Sequence, residues 1–204
     1  MPRKRPYHHG NLREALLEAA IRLVAEVGPT GFTLREVARR AGVSHNAPYR
    51  HFRDKDELLA AVAAQGFREL KQAMLDASKS QPTALERLKR SGLGYVSFAL
   101  RRPERFTVMF DAPISQTNYP ESAEAAEQAF GTLVGFVDAC QREGHFPGDD
   151  VMRRALAAWS LVHGIAKLAV AQRFPFRSKA AVLKFAAIAI EGSLSGAALE
   201  ANSS

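Results

Sequence analysis

A single cysteine, Cys140, leaves this 204-residue chain without a partner for an internal disulfide and fits a reducing, cytoplasmic setting. No run approaches the ~18 apolar residues of a membrane span. Charges at Arg13, Glu14 and Glu18 interrupt the stretch where a secretory leader would carry its apolar core. Strand-like alternation is scarce, and there is no Gly-rich phosphate loop, no Ser-His-Asp set, no paired carboxylates and no Cys/His metal spacing. Nor is there an internal repeat, a low-complexity tract or a sustained heptad pattern. These absences leave little support for a catalytic reading, and the expectation is a chain that is not an enzyme, with no metal and no cofactor.

What is present is helix-forming and basic. Hydrophobic residues make up 47% of the chain, ample for packed cores, and Ala, Leu, Glu and Arg dominate, so the expected class is all-α. The net charge is +7. Residues 1–60 hold 11 Lys and Arg against 7 Asp and Glu, with four of the six histidines. A basic start of this kind suits a polyanionic partner. Residues 1–10 are basic and read equally as a disordered tail or as an arm whose Arg3, Lys4 and Arg5 suit phosphates or a minor groove.

Residues 33–55 read as two short helices joined by a tight turn. Thr33 caps the first, and Glu36 three residues on completes a capping box. Leu34, Val37, Ala38 and Ala41 recur at helical spacing. Gly42 takes the left-handed position that ends the helix, and Ser44 is a second N-cap. The second helix exposes His45, Asn46, Tyr49 and Arg50, while Phe52 turns inward. Such a pair matches the helix-turn-helix, which sends its second helix into the DNA major groove. Pro48 tests the reading, because proline in a helix interior costs ~3 kcal/mol. Capped at Ser44, the helix places Pro48 at the edge of its first turn, where about one bond is lost. Asn46 and Arg50 have the chemistry to pair with adenine and guanine edges. Arg50 serves a phosphate equally well.

Around that motif, Asn11 caps a first helix with Leu12, Leu16, Ala19, Leu23 and Val27 inward, closed by Gly28-Pro29. Asp54 caps a long helix carrying Leu58, Val62, Phe67, Leu70 and Met74, with Lys55 at its N-terminus, a favourable place for a phosphate. The organisation expected is an arm (1–10), a DNA-binding domain (11–55), a connecting helix (56–77) and a larger domain (82–199), with Ser-Lys-Ser-Gln-Pro at 78–82 as the boundary. Further helices are expected over about 83–100, 104–110, 122–143, 149–173 and 178–199. Leu156 and Leu168 are assigned to the inner stripe of the fourth of these.

Residues 11–59, above all Thr33 to Leu59, resemble the tetracycline-repressor (TetR) family of bacterial regulators. Tyr49-Arg50-His51-Phe52 followed by Lys55-Asp56-Glu57-Leu58-Leu59 carries the likeness, and Trp159 to Gly164 resembles the WHG subgroup of its C-terminal domains. The resemblance implies about nine helices in an omega-like homodimer. The first three would bind a palindromic operator in double-stranded DNA, and the larger domain a small apolar or amphipathic effector that releases the repressor. It places Thr33, Tyr49 and Lys55 at phosphate-gripping positions and His45, Asn46 and Ala47 at the base-facing start of the recognition helix. Ser44 and His51 complete that surface. Pro48 departs from the usual Ala or Leu and leaves the base contacts open.

Pocket candidates are Tyr95, Phe98, Phe106, Met109, Phe110, Phe130, Phe136, Cys140, Trp159 and His163, apolar walls with a few polar handles. Ordinary core packing is the competing reading for each. Dimer candidates are Ala180, Leu183, Ala187, Ile188, Gly192, Ser195, Gly196 and Leu199, a small-residue face suited to a symmetric four-helix interface. The alternative to a ligand-released repressor is an effector-independent architectural or activating DNA binder.

Overall fold

The computed structural model describes residues 12–114 and 118–195. Among them are eight α-helices and no strand: α1 (Leu12–Val27), α2 (Leu34–Ala41), α3 (Lys55–Ser78), α4 (Ala84–Arg101), α5 (Pro103–Asp111), α6 (Pro120–Arg142), α7 (Val151–Val170) and α8 (Lys179–Ser195). A 3₁₀ turn, Pro48–Arg50, lies between α2 and α3. None of the described helices is long and apolar enough to cross a membrane. The Asn11 cap, the basic arm, Gly196 and Leu199 lie outside the described residues.

The chain folds into two compact units. One comprises residues up to Gly66 together with Glu104–Glu124; the other comprises Phe67–Pro103 and the residues from Ala125 onward. This division differs from a boundary at 78–82. Ser78 does end α3, but its polar run marks only a helix terminus. The units part within α3, whose first half buries Leu58, Leu59 and Val62 and whose second half buries Leu70 and Met74.

In the first unit, α1 contributes Leu16, Leu17, Ala20, Leu23 and Val24 to a core shared with Phe32, Leu34, Val37, Pro48 and Phe52. Val27 is 52% exposed, contrary to the inward placement its spacing predicts. It is the last residue of α1, where the chain already turns through Gly28 at φ 75°. Helix α5 completes this unit with Phe106 and Val108 fully buried. At Gly66 a Cβ would stand 2.5 Å from Met109 Sδ, so the methionine side chain of α5 fills the space that this glycine leaves open on α3.

In the second unit, α4 packs against both α7 and α8. Thr83 caps α4 by accepting the Glu86 N–H at 3.2 Å. Val182, Ala186 and Ile190 form the buried stripe of α8 at i, i+4, i+8. The α6–α7 connection is tied by a buried pair. Arg154 Nε donates to Asp149 Oδ2 at 2.6 Å, and its guanidinium lies 4.5 Å from the Phe146 ring centre. Asp150 then caps α7 through the Arg153 N–H at 2.7 Å. Leu156 and Leu168 are 44% and 46% exposed, so the inner stripe of α7 is instead Ala155, Val162, Ile165 and Ala166.

Glycines distinguish tight contacts from loose ones. A Cβ at Gly94 of α4 would meet the Ala73 carbonyl oxygen at 2.6 Å and Ala77 Cβ at 2.9 Å, whereas nothing lies within 4 Å of one at Gly131 or Gly135 of α6. Gly94→Ala should therefore destabilise by about 1–3 kcal/mol through overpacking. Gly131→Ala and Gly135→Ala should each stabilise by about 0.5–1 kcal/mol through helix propensity. Thermal melts of the three variants check both signs, and an unchanged Gly94→Ala melt would contradict the close α3–α4 contact.

Candidate nucleic-acid interface

Helix α2 begins with the predicted box in both directions. Thr33 Oγ1 accepts the Glu36 N–H at 3.3 Å, and the Glu36 carboxylate accepts the Thr33 N–H at 2.8 Å. The same hydroxyl donates to Glu36 Oε2 at 3.0 Å. Thr33 is exposed, but its hydrogen-bonding capacity serves the cap before any outside partner. The backbone hydrogen bond from Thr33, helped by its hydroxyl, holds the Glu36 carboxyl below its ordinary value. At the other end Gly42 sits at φ 71°, and the Val43 N–H returns to the Ala38 carbonyl at 3.0 Å, a left-handed stop that only glycine takes without strain.

Beyond Gly42 the chain does not form the α-helix expected from a Ser44 cap. Ser44 caps through no side-chain bond; its carbonyl accepts the Ala47 N–H at 2.9 Å. In an α-helix that carbonyl would take the N–H of residue 48, which proline lacks. The ladder therefore tightens into i→i+3 turns, with Arg50 N–H to the Ala47 carbonyl at 3.3 Å and His51 N–H to that of Pro48 at 2.9 Å. Ala47 enters this turn with helical φ/ψ, and Pro48 takes its first position. The proline ring is fully buried, as is the Phe52 side chain that closes the turn. Pro48 is thus an anchor rather than a tolerated exception.

Around that anchor the polar residues face out. Ser44, His45, Asn46, Tyr49, Arg50 and His51 are exposed, Tyr49 by 51%, and Ala47 is half-buried. Among the described residues, Ser44, His45, Asn46, Tyr49 and Arg50 make no side-chain hydrogen bond or ion pair to the protein.

The start of α3 frames one side. Asp54 Oδ1 accepts the Glu57 N–H at 2.7 Å. Arg53 donates its N–H to Glu57 at 2.6 Å, and that bond is the main reason the Glu57 carboxyl lies below its ordinary value. Lys55 is less free than its position suggests: Nζ donates to the Thr30 carbonyl at 3.1 Å and lies 5.5 Å from the Phe32 ring centre. Arg13 of α1, absent from the predicted contacts, stands 5.5 Å over the Phe52 ring. Together with His51 and Arg53 it lines a cleft of about 230 Å³. Its only sequence signal is a basic residue in the first turn of α1.

The pocket candidates divide. Phe106, Met109 and Phe110 belong to the first unit, where the Phe106 and Phe110 rings lie 4.8 Å apart and Met109 seals Gly66. They pack α5 rather than line a cavity with the others. Phe98 and Cys140 are fully buried in the second unit, and burial pushes the Cys140 thiol up to about 11. Tyr95, Trp159 and His163 do converge. The Tyr95 hydroxyl and His163 Nδ1 are 2.8 Å apart, and Trp159 Nε1 donates to the same hydroxyl at 3.4 Å. Burial holds the Tyr95 phenol well above its ordinary range. Phe130 meets Trp159 edge-on at 5.9 Å, and Phe136 is half-buried. His163 and Trp159 are also half-buried, so this polar-aromatic group is not sealed in the core.

Of the dimer candidates, Ala180, Ala187, Ile188 and Gly192 are exposed, Ile188 by 64%. Leu183 instead turns half-buried toward a groove of about 600 Å³ that it shares with Ala73, Ala77, Leu93 and Gly94. Nothing is described of the Ser195 side chain. Phe174 and Phe176, which no periodic pattern singles out, stack at 5.0 Å and meet Phe185 at 5.2 and 5.9 Å.

Two family models match the chain. That of the tetracyclin repressor-like C-terminal domain covers residues 88–190, and that of the bacterial regulatory proteins of the tetR family covers residues 16–62. A protein of unknown function from Rhodococcus sp. RHA1 is 34% identical over 95% of this chain and 100% of its own, with a TM-score of 0.79. A bacterial regulatory protein in the tetR family from Rhodococcus RHA1 is 23% identical over 90% of this chain and 95% of its own, TM-score 0.74. The transcriptional regulator FadR from Bacillus subtilis, in complex with stearoyl-CoA, is 17% identical over 90% of this chain and 98% of its own, TM-score 0.76. The latter two show a shared fold.

The lowered Glu36 carboxyl gives a pH dependence. A carboxylate whose folded value is depressed contributes stability fully above its unfolded value, and loses it as pH falls through the folded one. Melting temperature should thus decline below about pH 4.5, the ordinary Glu value, with a shallower decline in Glu36→Gln. Thr33→Ala should cost about 1 kcal/mol at neutral pH. Identical acid profiles for wild type and Glu36→Gln would show that the box contributes nothing to acid sensitivity.

Proposed function

The chain belongs to the tetracycline-repressor (TetR) family of DNA-binding transcriptional regulators, and from that premise we propose that it is a homodimeric repressor, reading a palindromic operator and released by a small apolar or amphipathic effector. The observation that carries the DNA-reading half is the run Ser44 to Arg50, whose polar side chains are exposed and lack internal partners, held on the buried Pro48. In this reading Asn46 and Arg50 contact base edges, and Tyr49 contacts phosphate. Thr33 and Lys55 add phosphate contacts with whatever capacity their internal bonds leave. A palindrome is expected because two copies present the same turn. The reading assigns the chain no catalytic step, and it places the protein in the cytoplasm, where its operator is.

For the effector, the support is the buried Tyr95 with the half-buried Trp159 and His163, which offer apolar walls and hydrogen-bonding handles together. FadR, which shares the fold, binds stearoyl-CoA. That supports an effector with a long apolar part. For the dimer, support comes from exposed apolar residues on the last two helices: Met152, Leu156 and Leu168 on α7, Phe185 and Ile188 on α8. Gly164 and Gly192 add open positions, with nothing within 4 Å of a Cβ. Exposed apolar residues in this number on adjacent helices suit an interface.

Selection of bound duplexes from a random pool tests the first half. A palindrome is expected; a pool that enriches nothing would overturn the reading. On the recovered operator, Asn46→Ala should relax discrimination at one base position by about 1–3 kcal/mol, whereas Tyr49→Ala should weaken all variants alike. Ile188→Asp should convert the species seen by light scattering at micromolar concentration from two chains to one. A wild type that already runs as one chain would contradict the dimer.

A further inference from the structure

Helix α1 carries three acidic residues, Glu14, Glu18 and Glu26, at i, i+4 and i+12, with Arg22 at the intervening i+8 position. Each meets a different element. Gln65 Nε2 of α3 lies 3.5 Å from Glu14 Oε1, a long contact. Arg40 of α2 grips Glu26 in a fork, at 2.6 and 2.5 Å. Arg105 of α5 donates from Nη2 to Glu18 Oε1 at 2.7 Å. The three contacts differ in one respect. Arg40 and Gln65 come from the same continuous stretch as α1, but Arg105 arrives from beyond residues 67–103, which belong to the second unit. It is also the buried member: its side chain is 7% exposed, against 46% for Glu18.

We propose that Arg105 is a positioning residue for DNA reading: by holding Glu18 it fixes the axial and rotational setting of α1, and through α1 that of the recognition turn. The path is made of contacts already given. Glu26 and Arg40 bind α1 to α2, which leads into the turn, and Arg13 of α1 stands over Phe52, which ends it. Two further contacts seat the same segment on this unit, Met109 against Gly66 and the Tyr119 hydroxyl donating to Asp54 Oδ1 at 3.3 Å. A guanidinium suits the task because its planar, rigid set of donors fixes direction as well as distance. The DNA-reading unit is therefore incomplete without α5, although 37 residues of the second unit, 67–103, intervene in the chain.

This inference rests on the DNA-reading function proposed above. The test uses the full chain and a duplex recovered from a random pool by the wild type, with an unrelated duplex of equal length as the non-specific probe. The quantity read is the ratio of specific to non-specific affinity, corrected for the folded fraction. Arg105→Met and Glu18→Ala should each lower that ratio about tenfold, and the double variant should be no worse than either alone, since both remove one contact. Arg105→Lys, which keeps the charge, should retain most of it. If melting temperature falls while the ratio holds, or if the two losses add, the pair only stabilises the fold and the proposal is overturned. Should Arg105→Met fail to fold, Glu18→Ala decides, because Glu18 is 46% exposed and its truncation opens no buried cavity. A wild type whose ratio is already one would instead defeat the DNA-reading proposal itself, and this one with it.

Discussion

One helix serves two cores. Helix α3 runs unbroken through 24 residues, and its apolar stripe changes allegiance midway, from Leu58, Leu59 and Val62 to Leu70 and Met74. Two glycines mark the places where other helices approach it. Gly66 on α3 itself receives Met109 of α5, and Gly94 of α4 meets Ala73 and Ala77. The Gly94 approach to the Ala73 carbonyl is closer than a Cβ would allow, whereas at Gly66 the facing atoms are those of the Met109 side chain. Asp54 caps α3 immediately after the recognition turn. The start of α3 is thus set by local hydrogen bonds directly after that turn.

Much of this was legible in the sequence because it is local. Thr33 with Glu36, Gly42 and Asp54 are capping signals whose partners lie within four residues, and each forms the expected end. Pro48 was legible as a problem but not as an anchor. Its missing N–H is dictated by covalent structure, yet its burial is set by tertiary packing, including that of α2 against the turn. Periodicity failed in a consistent way. Val27, Leu156 and Leu168 keep helical spacing but face outward, because a repeat identifies an apolar stripe without saying what covers it. The pattern of α5 resembled any amphipathic helix. That Phe106, Met109 and Phe110 belong with α1 and α3 is a non-local fact, decided by Gly66 and by the Arg105–Glu18 pair. The aromatic cluster of Phe174, Phe176 and Phe185 was missed for the opposite reason: two of its members lie in a connection with no period to read.

Charge shows how a count differs from an arrangement. Between residues 12 and 66 the chain holds eight Lys and Arg and seven Asp and Glu, close to neutral. The structure separates the two signs by use. Glu18, Glu26, Glu36, Asp54 and Glu57 are all engaged in caps or pairs inside the unit. Arg40, Arg53 and Arg105 are spent on those same acids. Arg35, Arg39 and Arg50 have no such partner among the described residues, and neither do the polar groups of His45, Asn46 and Tyr49. Each such pair cancels one charge of either sign inside the unit, while the exposed turn 44–51 itself carries basic and neutral polar groups and no acid. The same division explains why the frame and the reader tolerate opposite chemistry. Paired groups lose free energy when one partner is removed and so fix geometry. Unpaired exposed groups remain hydrated in the free protein and exchange that water for a partner on binding, which is where discrimination between sequences arises.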